Sequence, residues 1–134
     1  MLTCRILIVD DDSDDIDLLL SSFHEIGVKE VHGVHSMPEA IKFLQFLGDL
    51  NALPKIIITD LNMPGQNGFE LLKFLKNTTL YKQIPVIVFS TSISCKEIET
   101  SLALGALDYI PKPVLLEDYI DFASKINTRI SEYK

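Results

Sequence analysis

The sequence has no tryptophan, only two cysteines, few basic residues and no long apolar run. It carries 12 Lys and Arg against 19 Asp and Glu, which gives a net charge of -7. Nucleic acids and anionic lipids are polyanions that proteins bind through clustered Lys and Arg, so we expect neither as a partner. No apolar stretch approaches the roughly 20 residues that span a bilayer, and the N-terminus lacks the sections of a secretion signal. These absences predict a cytoplasmic protein.

The cysteines and histidines form no recognisable ligand or redox set. Cys4 and Cys95 are far apart and show no CxxC spacing, so we interpret both as buried or incidental thiols. His24, His32 and His35 do not have the spacing of metal ligands and are expected at surface or edge positions.

The length of 134 residues is that of one ordinary domain. Hydrophobic residues make up 47% and charged residues 23%, which is typical of a globular fold. No linker or helix-turn-helix pattern follows the last predicted helix, which should end near Tyr133. We therefore expect a single domain over residues 1–134 without an output domain.

Short apolar segments alternate with helical patterns along the whole chain. The predicted strands are Ile6 to Val9, Val31 to Val34, Lys55 to Thr59, Pro85 to Phe89, and a weaker segment at Tyr109 to Ile110. The first, third and fourth of these lack an apolar and polar alternation, as expected for central strands covered on both faces. Strict alternation of strands and helices predicts an α/β fold, a doubly wound parallel five-stranded sheet of (βα)5 type.

Apolar stripes define the helices between these strands. In the first helix we expect a cap at Ser13 and a stop at Gly27. The fourth helix, near Lys96 to Leu104, has the weakest stripe, with Ile98 and Leu102 as its main anchors. The stripes of the other helices are Ile16, Leu19, Leu20, Phe23 and Ile26; Ala40, Phe43, Leu44 and Leu47; Leu71, Leu72 and Leu75; and Leu116, Tyr119, Ile120, Ala123 and Ile130.

Carboxylates follow two strands that should be neighbours. Asp10, Asp11 and Asp12 follow the first strand and Asp60 follows the third. Ligands of parallel sheets bind at the carboxyl ends of the strands. Unit charges about 5 Å apart repel by roughly 3 kcal/mol at an effective dielectric of about 20, so such a cluster favours a hard divalent cation. Oxygen ligands of this kind suit Mg²⁺.

One other interpretation of these acids stays open, and a second fails on spacing. Acids after a strand also cap the next helix and favour its positive N-terminus, which is the simpler reading for Asp12, Asp14, Asp15 and Asp17. A calcium loop fits the spacing of its first ligands, but Asp15 stands where the loop needs glycine and Ser21 where it needs glutamate.

A hydroxyl and an ammonium should join the carboxylates at this edge. Ser90 and Thr91 end the fourth strand, and Lys112 and Pro113 follow the fifth. A lysine stabilises a transferring phosphoryl group as a point charge, and a hydroxyl can hydrogen-bond one of its oxygens. Taken singly, Ser90 also fits a helix cap and Lys112 a solvated surface charge.

Four segments together give the chain a family resemblance. They are ILIVDDD at the first strand, IIITDLNMPGQNG at the third, PVIVFSTS at the fourth and YIPKP at the fifth. In this order and spacing the sequence resembles the receiver domains of two-component response regulators over essentially its whole length. It is also similar, more weakly, to the phytochrome-associated single-domain subgroup. The resemblance implies a flavodoxin-like sheet with the strand order 2-1-3-4-5.

The resemblance also implies roles for individual residues. Asp60 would be the phosphoacceptor, and Mg²⁺ would be held by Asp10, Asp11, Asp60 and the backbone carbonyl of Asn62. Ser90 would be the switch hydroxyl and Tyr109 the aromatic switch. Lys112 would pair with the acyl phosphate, with a cis peptide bond before Pro113.

The partners implied are a sensor histidine kinase or a phosphotransfer protein, and a downstream protein that the sequence does not name. Homodimerisation through the fourth helix and fifth strand is a further option. The chain would not be a dedicated enzyme, although it would catalyse its own phosphorylation and dephosphorylation. An aspartyl phosphatase with its nucleophile at Asp10 is the enzymatic rival, and a flavin-binding domain is the binding-module rival. The acidic first loop disfavours the flavin domain, and the segment after Asp60 disfavours the phosphatase.

Overall fold

Strands and helices alternate without interruption along the computed structural model, which describes residues 3–49, 51–63, 65 and 67–132. The strands are β1 Ile6–Val9, β2 Val31–Val34, β3 Ile56–Thr59, β4 Val86–Ser90 and β5 Asp108–Pro111. The helices are α1 Ser13–Glu25, α2 Met37–Leu47, α3 Gly68–Lys76, α4 Cys95–Ala103 and α5 Leu116–Glu132. The residue expected to end the last helix, Tyr133, lies outside the described residues.

All five strands are parallel and form one sheet in the order β2-β1-β3-β4-β5. The prediction of a doubly wound α/β sheet is therefore confirmed, as is the central position of β1, β3 and β4. Each of these three strands is buried over its full length. In the β1–β3 pair Val9 lies beside Thr59, so both strands end at the same level.

Successive residues of each strand point to opposite faces of the sheet and supply two separate cores. On one face Ile6, Ile8, Ile58 and Phe89 pack against α1 and α5. The apolar residues that α1 and α5 bury there are Ile16, Leu19, Phe23, Tyr119, Phe122, Ala123, Ile126 and Ile130. On the other face Leu7, Val9, Ile57, Val86 and Val88 meet Ala40, Leu44, Leu71, Leu72 and Leu75. Helices on both faces explain why the central strands contain almost no polar residues.

The first helix begins with a different cap from the one predicted. Ser13 is the first helical residue, and Asp12 is the N-cap, with its Oδ1 accepting a hydrogen bond from the backbone N–H of Asp14 at 2.9 Å. The prediction of Ser13 was wrong because the acid before it already satisfies a free N–H of the first turn. The helix ends at Glu25, and Gly27 takes a φ of 86°, which confirms the predicted stop.

Two predicted apolar anchors are exposed. Leu102 of α4 is 46% exposed and Leu116 of α5 is 64% exposed. In α4 the fully buried residue is Ser101, whose hydroxyl donates to the carbonyl of Glu97 at 2.8 Å and so stays satisfied inside the helix. Among the residues described, none of the helices combines the length and the apolar character that crossing a bilayer requires.

Close packing at the edge of the sheet depends on the missing side chain of Gly33. A Cβ at this position of β2 would clash with Cγ2 of Ile16 on α1. Because the obstacle is one branch of a side chain, and not backbone, its removal should relieve the clash.

We expect Gly33→Ala to lower the free energy of unfolding by about 1–3 kcal/mol, the usual cost of overpacking a filled core. In an Ile16→Leu background, which lacks the Cγ2 branch, the same change should cost clearly less. Urea denaturation of the four variants of this double-mutant cycle measures both values. Equal costs in the two backgrounds would contradict this account of the contact.

Candidate functional site

The register of β1 and β3 brings two buried strand ends together. Val9 and Thr59 are paired, and the N–H of Asp60 donates to the carbonyl of Val9 at 2.8 Å. The next residues along both strands, Asp10 and Asp60, therefore lie side by side. Asp10, Asp11 and Asp60 each offer a carboxylate oxygen within 4.8 Å of the others. The structure thus gathers the three predicted acids at one edge of the sheet.

Asp10 is the most buried of these acids, with 2% of its surface exposed. Its Oδ1 accepts a hydrogen bond from the N–H of Asp12 at 3.0 Å, and its Oδ2 accepts one from Lys112 Nζ at 2.8 Å. Burial raises the pKa of Asp10 to about 6, although the hydrogen bond from Lys112 favours the ionised form. Asp10 is therefore ionised at neutral pH and depends on a nearby cation.

Lys112 supplies the ammonium at the centre of the acidic cluster. From the end of β5 its Nζ lies 2.8 Å from Asp10 Oδ2, 2.8 Å from Asp15 Oδ2 and 3.3 Å from Asp60 Oδ2. Burial lowers the pKa of Lys112, but its hydrogen bonds to Asp10 and Asp15 outweigh this and raise the pKa above its usual value. The ammonium is fully charged at neutral pH. The alternative interpretation of Lys112 as a solvated surface charge was wrong, because its side chain is 5% exposed.

Asp15 is a member of this site that the sequence did not indicate. It lies in the first turn of α1, where an acid favours the positive helix N-terminus, and that role was the interpretation given for it. Its pairing with Lys112 depends on how α1 packs beside β5's end, which is a tertiary contact without a local sequence signal. Asp12, by contrast, is the N-cap of α1, which confirms the helix-capping interpretation given for it.

The Asp60 carboxylate is held at both oxygens but remains accessible. Its side chain is 11% exposed; Oδ1 accepts from the N–H of Leu61 at 2.7 Å, while Oδ2 faces Lys112. Behind it, a Cβ on Gly68 would lie 2.5 Å from the carbonyl oxygen of Asp60. The start of α3 therefore packs directly on the backbone of Asp60, and only glycine permits this approach.

The site has a charge deficit that a divalent cation would remove. The carboxylates of Asp10, Asp11, Asp15 and Asp60 face one ammonium, that of Lys112, and so leave three negative charges uncompensated. Asp11 is exposed and Asn62, in the loop after β3, is exposed as well. Oxygen donors with one open, solvent-facing side fit Mg²⁺, which keeps several waters when it binds to proteins.

Ser90 is the last residue of β4, and the end of this strand lies beside the acidic cluster. Ser90 is fully buried, and its Oγ accepts a hydrogen bond from the N–H of Ser92 at 3.3 Å. Its carbonyl accepts from the N–H of Lys112 at 2.8 Å, which ties the ends of β4 and β5 together. The helix N-cap that follows is Ser94, so the alternative reading of Ser90 as a cap was wrong.

Tyr109 points inward and contacts the loop after β4. It is 7% exposed, and its hydroxyl donates to the carbonyl of Ser92 at 2.7 Å. The hydroxyl of Ser92 in turn donates to the carboxylate of Glu97 on α4. One loop residue, Ser92, thus contacts Ser90, Tyr109 and α4, and nothing in the sequence singled it out.

The peptide bond before Pro113 differs from the expectation. No described peptide bond is cis, so the bond between Lys112 and Pro113 is trans. The implied cis bond was therefore wrong; trans is the lower-energy isomer even before proline.

Comparisons with known proteins place the chain in a family. The family model described as response regulator receiver domain matches residues 6–123. Chemotaxis protein CheY1 of Helicobacter pylori is 33% identical over 113 residues, which cover 81% of this chain and 85% of that protein. Two-component response regulator ARR3 of Arabidopsis thaliana is 35% identical over 120 residues, 85% of this chain; that match covers 52% of ARR3.

Solved structures of response regulators share the fold. The phosphorylated cyanobacterial phytochrome response regulator RcpA has a TM-score of 0.81 and 34% identity, over 93% of this chain and 91% of that one. The Mn²⁺-bound form of response regulator Rcp1 has a TM-score of 0.79 and 29% identity, over 93% and 92%. Fold, acidic cluster and family match agree, and the chain belongs to the response regulator receiver domain family.

Proposed function

We propose that this receiver accepts a phosphoryl group on Asp60 from the phosphohistidine of a sensor histidine kinase or a phosphotransfer protein. The observation that supports this most is the position of the Asp60 carboxylate, which lies beside two further acids and the ammonium of Lys112 while keeping 11% of its side chain exposed. A nucleophile needs such access, together with positive charge where the phosphoryl oxygens arrive.

In this reaction an oxygen of Asp60 forms a bond to phosphorus as the bond between phosphorus and the histidine nitrogen breaks. Asp10, Asp11, Asp60 and the carbonyl of Asn62 would hold Mg²⁺, whose chemistry is to neutralise charge on the phosphoryl oxygens. Lys112 can shift from Asp60 Oδ2, its most distant partner at 3.3 Å, to a phosphoryl oxygen. Ser90 can donate to another oxygen from the adjacent strand end.

The receiver supplies these groups itself, so the donor needs only to present its phosphohistidine, and the same site later catalyses dephosphorylation. The chain is on this account a signalling domain and not a dedicated enzyme. The enzymatic rival, with Asp10 as the nucleophile, is less well supported because the Asp10 side chain is 2% exposed, whereas that of Asp60 is 11% exposed.

The signal would leave through the surface formed by α4, β5 and α5. A phosphoryl group adds a charge near -2 and draws the Ser90 hydroxyl toward it. Ser90 and Tyr109 both form hydrogen bonds with Ser92. A shift of Ser90 would therefore change which orientation of the Tyr109 side chain is favoured. The partner that binds this surface would be a downstream protein or a second copy of the chain, in the cytoplasm.

The acceptor assignment predicts that Asp60→Asn abolishes labelling by acetyl phosphate with Mg²⁺, because the amide is a poor nucleophile. Asp17→Asn, which removes an exposed acid of α1 outside the cluster, should be labelled like the unmodified protein. Intact-mass spectrometry measures the gain of one phosphoryl group, and peptide mapping locates it. Retained labelling of the Asp60→Asn variant, or a phosphoryl group mapped to Asp10, would reject the assignment.

The charge balance predicts that Lys112→Gln is strongly destabilising without metal. Removal of the ammonium leaves the buried Asp10 unpaired beside Asp60, which costs about 3–5 kcal/mol at buried ion pairs. Mg²⁺ should restore part of this loss, and should stabilise the variant more than the unmodified protein, because the ion then provides the missing positive charge.

Urea denaturation with and without Mg²⁺ measures these differences in the free energy of unfolding. Lys125→Gln on the exposed side of α5 is the matched control and should change little. Similar losses in the two variants, or the same effect of Mg²⁺ on both, would argue against a metal site beside Lys112.

A further inference from the structure

A cavity lies at the opposite edge of the sheet from Asp60. It has a volume of about 980 Å³ and is lined by residues at the amino ends of β1, β3, β4 and β5 and at the carboxyl ends of α3 and α5. Pockets that hold small organic ligands typically have volumes of about 300–1,000 Å³. Nothing in the phosphoryl-transfer chemistry of Asp60 requires a cavity at this edge.

The charge of this cavity is opposite to that of the chain. Arg5, Lys55, Lys76 and Lys82 line it, and no carboxylate of the described residues does. The whole sequence has 19 acidic residues against 12 basic ones. Within the described part of the chain, none of the four cations forms a salt bridge. Four uncompensated positive charges around one concave surface favour an anion.

Lys76 is fixed in place at the wall of the cavity. Its half-buried ammonium donates to the carbonyls of Lys82 at 3.2 Å and Ile84 at 2.9 Å, which leaves one of its three donors free. Its aliphatic stem packs on Gly105, where a Cβ would lie 3.0 Å from Cγ of Lys76. Burial lowers the pKa of Lys76, as expected for an ammonium with no carboxylate beside it.

Arg5 has an unused donor at the same place. Its Nε is buried and has no hydrogen-bond partner among the described residues. A buried polar atom of this kind is destabilising unless another group or a water satisfies it. The positive charge of Arg5 at the cavity wall is therefore not offset by a hydrogen bond at Nε.

Most of the remaining lining residues are aliphatic, and Gln83 and Ser131 are the polar ones. Leu80 and Leu107 line the cavity and are 37% and 40% exposed, and Leu53, Ile84 and Pro85 lie deeper. No aromatic side chain of the described residues lines it, so a nucleobase would find no ring to stack on. The walls therefore suit a compact aliphatic body.

We propose that this cavity binds a small organic polyanion, with two or more phosphate, phosphonate or carboxylate groups on an aliphatic body. Arg5, Lys55, Lys76 and Lys82 bind the anionic groups, and the leucines contact the body. The proposal is independent of phosphorylation at Asp60, because the two sites lie at opposite edges of the sheet and share no residue.

The test is a titration of the full chain, freed of divalent ions by chelating resin, followed through its backbone amide NMR signals. The probes are methylenebisphosphonate, citrate and uncharged sorbitol. Either anion should produce saturable shifts at Lys55, Ile84 and Gly105 and leave Asp10 and Asp60 unchanged, whereas sorbitol should produce none. Binding of only one anion supports the proposal and identifies the anionic group as phosphonate-like or carboxylate.

Two double variants with the same net charge distinguish anion binding in the cavity from a general effect of the protein's charge. Lys55→Gln with Lys82→Gln removes two exposed ammonium groups that line it, and should weaken binding by at least about tenfold. Lys29→Gln with Lys42→Gln removes two exposed ammonium groups elsewhere and should change the affinity less than about twofold. Neither pair includes the packed Lys76, so both variants should fold.

The proposal is overturned if neither anion gives saturable shifts, if the shifts map to the acidic edge, or if both double variants lose affinity equally. Shifts with sorbitol equal to those with the anions would also overturn it, because charge would then not decide binding.

Discussion

Lys112 reaches from the end of β5 to Asp10, Asp15 and Asp60, with Nζ–O distances of 2.8, 2.8 and 3.3 Å. Parallel strands with a common register deliver their carboxyl ends to one edge, so the fold itself forces these acids together. Their repulsion would destabilise the register without a buried cation. The ammonium of Lys112 offsets part of the repulsion between the carboxylates, and the remaining negative charge favours the binding of a divalent ion at this edge.

The two edges of the sheet carry opposite charge. Carboxylates collect around Lys112 at the carboxyl edge, while the cavity at the amino edge collects lysine and arginine side chains. Central strands of four residues place the edges only about 13 Å apart at roughly 3.3 Å per residue. The net charge of -7 is therefore not the local charge at either edge. It does not reveal that the cations at positions 5, 55, 76 and 82 line one cavity.

Much of this arrangement could be predicted from the sequence. Buried strands without alternation indicated β1, β3 and β4, and strand-end positions indicated Asp10, Asp60, Ser90 and Lys112. Predictions failed where neighbouring residues offered equivalent choices. Asp12 and Ser13 can both cap a helix, and the apolar pattern of α4 did not reveal that Ser101 is its buried residue. Contacts between elements that are distant in the chain, such as Asp15 with Lys112 or Tyr109 with Ser92, produce no periodic pattern in the sequence and so could not be predicted from it.

Helix α4 is attached to the domain more weakly than its neighbours. The one residue that it buries fully is Ser101, whereas α3, of the same length, buries three leucines. Free energies of local opening follow the apolar contacts that hold an element in place. Amide protons of α4 should therefore exchange with solvent through fluctuations that leave the sheet intact. The segment next to Tyr109 can rearrange at small energetic cost, while the strands that carry the carboxylates keep their positions.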